Sequence, residues 1–152
     1  MEFSPNTIVP LIQLAISPVI LISGEGAFML MLTNRMGRVV DRTRLLAGAL
    51  RKAKDEEQQH IDSQLTIMWR RAGLLRRAVT FCGLSMTVAC CLVLLILVDA
   101  LLAQTFPILM VSLFCLAVSL LGAALVTFLR DIYVALDALN IEVGLARSES
   151  GK

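Results

Sequence analysis

The sequence predicts an all-α membrane protein: three transmembrane helices, a cytoplasmic antiparallel helical hairpin between the first and second, and a cytoplasmic C-terminal helix. Three observations predict it. Two apolar runs, 79–102 and 106–129, are separated only by Ala103-Gln104-Thr105, and a third apolar run covers 8–32. Hydrophobic residues make up 57% of the chain and charged residues only 17%, where soluble domains carry roughly a quarter. Of the fourteen Lys and Arg residues, eleven lie between Asn34 and Ala78.

Each apolar run is long enough to cross a bilayer, because the hydrocarbon core of about 30 Å takes roughly 20 residues at about 1.5 Å rise each. A three-residue connection forces the second and third spans to run antiparallel. Basic segments next to spans stay on the cytoplasmic side. The amino terminus and the 103–105 turn are therefore expected outside, with the basic segment and the carboxyl terminus inside. The basic excess reads as topology, with contact to anionic lipid headgroups as a second use; a nucleic-acid partner is not expected.

Residues 1–7 are polar and lack the basic start of a cleavable signal peptide, so the first span is expected to be retained. It is interrupted by Gln13, by Ser17-Pro18 and by Gly24-Glu25-Gly26. Proline removes a backbone donor, which predicts a kink near residues 14–18. Glu25 lies eight residues before Thr33, about 12 Å into the hydrocarbon. An ionised side chain near mid-bilayer costs at least about 2.5 kcal/mol, so Glu25 is expected to face protein or water. With Gln13, Ser17, Gly24 and Gly26 it forms a candidate ion pathway, the glycines allowing close approach. The competing reading is a protonated or hydrogen-bonded glutamate that helps helices associate. Asp99, three residues from the outer end of its span, is within reach of the headgroup region.

Beyond the first span the chain reads Thr33-Asn34-Arg35-Met36-Gly37-Arg38-Val39-Val40-Asp41-Arg42-Thr43-Arg44. With the upstream Ser17-Pro18 and the three-span layout, this stretch resembles a family of bacterial integral membrane proteins classed only as a domain of unknown function. The resemblance covers most of the chain. It implies a bacterial inner-membrane location and supplies no catalytic residues.

The central segment, about 34–78, is helical by pattern. Val39, Leu46, Leu50 and Ala53 share one face of its first half. In its second half Ile61, Leu65, Met68, Ala72, Leu75, Val79 and Cys82 alternate by four and three, a coiled-coil-like seam that runs straight into the second span. A reversal near Lys54-Asp55 folds the halves into the hairpin, and Asp55-Glu56-Glu57 supplies an acidic first turn. Arg35, Arg38, Arg70, Arg71, Arg76 and Arg77 are the headgroup candidates, since long side chains snorkel to phosphates.

Small residues mark where helices meet in lipid. Gly83 and Thr87 in the second span, and Ser112, Cys115, Ser119 and Gly122 in the third, are the packing candidates and predict self-association. After residue 129 a helix is expected to about 143, with Ile132, Leu136, Leu139 and Val143 as its stripe. Asp131, Asp137 and Glu142 fall outside that stripe and are expected to meet arginines of the hairpin as weak exposed pairs. From Gly144 the chain is expected to fray.

The four cysteines lie inside spans without C-x-x-C spacing, and His60 stands alone in a charged stretch, so no metal site, cofactor or catalytic set is expected. Two functions remain for a non-enzymatic, self-associating membrane protein. One is a homo-oligomeric cation pore with Glu25 in its path. The other is an accessory protein that scaffolds a partner, such as another membrane protein, through its cytoplasmic bundle.

Overall fold

The computed structural model describes residues 5–102 and 106–150. Three helices fill them, α1 (Pro5–Leu50), α2 (Asp55–Leu102) and α3 (Pro107–Ser150), and no strand occurs among the described residues. Each helix holds a stretch long and apolar enough to cross a membrane, within Ile16–Leu50, Gln58–Asp99 and Pro107–Ala138. The exposed large apolar side chains fall inside the three apolar runs, apart from Leu45, Trp69, Tyr133 and Leu136. A soluble protein does not display so much contiguous oily surface, and a bilayer solvates it. The chain is a multi-pass helical membrane protein.

Two sequence expectations change in extent. The first span and the segment that follows it are one helix: α1 stays helical through Ser17-Pro18 and across Thr33-Asn34-Arg35. At the other end α3 does not stop near 143, and the stretch expected to fray is helical as far as Ser150. The 103–105 turn lies outside the described residues.

The break between α1 and α2 occupies residues 51–54, next to the expected Lys54-Asp55. Ala49 O accepts from the N–H of Lys52 at 2.9 Å and of Ala53 at 3.1 Å, closing α1. The next helical bond runs from Gln58 N–H to Lys54 O at 3.0 Å, and the Gln58 side chain adds a bond to Ala53 O at 3.2 Å. No Gly or Pro is needed, because side-chain and backbone donors take up carbonyls that a helix end leaves open.

Burial recurs with a period of seven. In α1 the buried positions are Pro18, Glu25, Leu32, Val39 and Leu46. In α3 they are Ala117, Ala124 and Asp131. In α2 they alternate by three and four: Leu75, Ala78, Cys82, Ser85, Ala89, Leu92 and Ile96. A seven-residue recurrence of buried positions is the spacing of helices packed along their length. The expected seam passes through Leu75 and Cys82 as anticipated, but Ala78 is fully buried where Val79 was expected and Val79 is half-buried.

The chain forms two compact units. The first comprises Met1–Met31 and Thr80–Ala124, the second Leu32–Val79 and Leu125–Lys152. In the second unit Arg35 and Arg71 reach the same residue, Asp131. The chain that leaves this level along α1 therefore returns to it along α2 after the break at 51–54.

Candidate functional site

In the first unit the site forms around Glu25. Its place in the seven-residue recurrence of α1 turns it into the core, where it is 1% exposed. The side chain meets α2 at Ser85, whose hydroxyl is hydrogen-bonded to Glu25 Oε1. Ser85 Oγ also lies 2.7 Å from the backbone carbonyl of Ala117 on α3. Cys82, one turn earlier on α2, points its thiol at the Glu25 carbonyl at 3.7 Å. Glu25 Oε2 is buried with no partner.

A hydroxyl carries one hydrogen, so Ser85 cannot donate to the carboxyl and the carbonyl together. That hydrogen goes to one acceptor at a time, and Ser85 Oγ is within bonding reach of both. The cluster thus joins all three helices of the unit through Ser85.

Glu25 therefore faces protein of its own chain. Its partner Ser85, and Ala117 to which Ser85 reaches in turn, were not singled out from the sequence. The signal was present: Glu25 is seven residues before Leu32, and Ser85 is three after Cys82. The other residues of the candidate pathway do not join the site. Gln13, Ser17 and Gly24 are exposed and Gly26 is half-buried. A Cβ added at Gly24 or Gly26 would meet nothing within 4 Å, so no backbone of this chain approaches them closely. Ser17 instead borders an apolar recess of about 220 Å³ with Pro18, Leu92, Ile96 and Phe114.

On α3 the three small residues Ser112, Cys115 and Ser119 lie off the in-chain contact. Ser112, Cys115 and Ser119 are exposed, and Ser112 and Ser119 donate to carbonyls of their own helix, Leu109 O at 2.8 Å and Cys115 O at 2.7 Å. Gly122 is half-buried with open space around it. The in-chain contact of α3 uses Ala117 and Ala124, both fully buried. On α2, Gly83 rests against Met29 Cε at 3.6 Å, while Thr87 is exposed and bonds Gly83 O at 2.9 Å.

In the second unit Asp131 is fully buried and receives two guanidiniums, Arg35 Nε at 2.8 Å and Arg71 Nε at 3.2 Å. Arg35 also lies over the Phe128 ring, 5.4 Å from its centroid. Asp131 therefore belongs to the core of α3, and the weak exposed pairing expected for it is replaced by a buried one. Of the headgroup candidates, Arg35 and Arg71 are each held by Asp131. Arg38, Arg70, Arg76 and Arg77 are exposed. Of the stripe expected on this part of α3, Ile132 is half-buried, Leu136 is exposed, and the side chains of Leu139 and Val143 lie outside the described residues.

His60 is exposed and meets Gln64 at 3.1 Å. Asp99 is half-buried, with Oδ1 buried and unpartnered. Among the described residues no three His, Cys, Asp or Glu side chains are grouped to hold a metal ion.

A family model described as "Protein of unknown function (DUF2721)" matches residues 15–141. No curated protein and no solved structure matches the chain.

Proposed function

We propose, from the premise that the chain belongs to the DUF2721 family, that it is a non-enzymatic accessory protein of the bacterial inner membrane whose polar unit docks a partner in the cytoplasm. The observation that carries this reading is the in-chain bond of Glu25 through Oε1. A carboxyl 1% exposed, bound to Ser85 on the neighbouring helix, works as a clamp between helices and is not presented to a path shared by several copies. The clustering of eleven basic residues between Asn34 and Ala78 supports an outside amino terminus and a cytoplasmic carboxyl terminus. On that orientation residues 34–78 form the cytoplasmic hairpin, and the part of α3 past residue 130 packs with it.

A second reading, the homo-oligomeric cation pore, is favoured by one observation: Glu25 Oε2 is buried without a partner. An unsatisfied carboxyl oxygen inside a protein is costly, and a proton or cation would relieve it. The two readings divide in a flux measurement on the full chain in liposomes. The accessory reading expects cation flux no greater than in empty vesicles, with Glu25→Gln giving the same trace. Flux that Glu25→Gln reduces several-fold or changes in selectivity would overturn it in favour of the pore.

Self-association is proposed for either reading, supported by the exposure of Ser112, Cys115 and Ser119. Gly122→Leu tests it cleanly, since a Cβ there meets nothing within 4 Å in its own chain. The variant is expected to fold and insert normally while the detergent-solubilised particle falls in mass. An unchanged mass would remove this stripe from any contact between copies.

A further inference from the structure

The arginines of the second unit do more than neutralise Asp131. Arg35, Arg38 and Arg42 follow one another on α1 at spacings of three and four, which places them on one face over about 10 Å of helix. Arg71 of α2 joins them, and the four line one cavity of about 360 Å³ whose remaining lining is Val39 and Met68. Among the described residues no carboxylate lines it. Asp131, buried and bonded to Arg35 and Arg71, offsets one of the four charges, so three remain in excess.

Like charges spaced this way on a helix repel, and a solvated surface would spread them. Here two of the four guanidiniums are pinned from beneath. Asp131 engages each through Nε, and a guanidinium has further N–H donors on its terminal nitrogens. Arg38 and Arg42 are exposed and complete the ring from the solvent side. All four positions are arginine although the same chain uses lysine at Lys52 and Lys54. The planar fork of arginine matches phosphate oxygens in pairs, which an ammonium does not. Pinning two forks in advance also lowers the ordering cost of binding.

We infer that this arginine cavity is a binding site for a phosphate-bearing anion, with Asp131 as the residue that positions Arg35 and Arg71. The phosphate comes either from a soluble compound or from an anionic lipid headgroup, and the chemistry of recognition is the same.

The test uses the full chain in nanodiscs of phosphatidylcholine alone, titrated calorimetrically with inorganic pyrophosphate, beside nanodiscs that also contain phosphatidylglycerol. The comparison protein is the double variant Arg38→Gln, Arg42→Gln, which removes two exposed side chains. For a soluble phosphate, pyrophosphate binds saturably in phosphatidylcholine, more weakly as salt rises, and at least tenfold more weakly to the double variant. For a headgroup, native mass spectra retain phosphatidylglycerol on the chain and lose it from the double variant. Should the double variant aggregate, Arg42→Gln alone serves, with a three- to fivefold loss expected in either readout. The inference is overturned if neither ligand is held, or if both are held equally well without these arginines. Cation flux plays no part in this readout, so its failure and that of the accessory reading are distinguishable.

Discussion

Asp131→Ala should be among the most damaging single substitutions in the second unit, lowering stability by about 3 kcal/mol. Removing one partner of a buried ion pair generally costs about 3–5 kcal/mol, because the remaining charge is left uncompensated. Two guanidiniums are stranded in this case, but their side chains are 25% and 15% exposed and can turn partly to water, which favours the lower end. Arg71→Gln should cost less, about 1–2 kcal/mol, since Asp131 keeps Arg35. The measurement is denaturant unfolding in detergent followed by the fluorescence of Trp69, the chain's single tryptophan. Asp137→Ala is the control, because Asp137 is exposed. If both aspartate variants unfold at the same denaturant concentration, the buried pairing described here does not hold the unit together.

Leu75→Ala is expected to have an effect of similar size for a different reason. Leu75 is fully buried on the seam of α2, and truncating a buried leucine removes its transfer free energy and leaves a cavity, typically about 2–5 kcal/mol in all. Leu45→Ala should shift the same unfolding curve by less than about 0.5 kcal/mol, because Leu45 is 69% exposed. Equal shifts would mean that the two leucines see similar surroundings, contrary to their burial.

Element type and membrane class were legible in the sequence, because length and oiliness alone decide whether a helix can span. The break near Lys54 was legible too. What the sequence obscured was which side of each helix faces its neighbours. In lipid, outward faces are as apolar as the core, so hydrophobicity carries no contrast and small polar residues serve as the substitute signal. That signal selected Ser112, Cys115 and Ser119, while the in-chain contact uses Ala117 and Ala124, whose methyl groups look like any others in an apolar run. Among the charged residues of 34–78 the contrast returns, and there Val39, Leu46 and Leu75 were placed correctly. Asp131 was misjudged because a lone carboxylate is ordinarily solvated. Its partners stand 96 and 60 residues away in the chain, and no local spacing connects them.

The cysteines have a practical consequence. Cys82 is buried, and Cys90, Cys91 and Cys115, though exposed on the chain, lie within apolar runs long enough to span a bilayer. Membrane-impermeant thiol labels stay in water, so the native thiols form a silent background. One cysteine introduced at Ser63, which is exposed on α2, would then report by labelling from one face of sealed vesicles or the other which compartment that helix occupies.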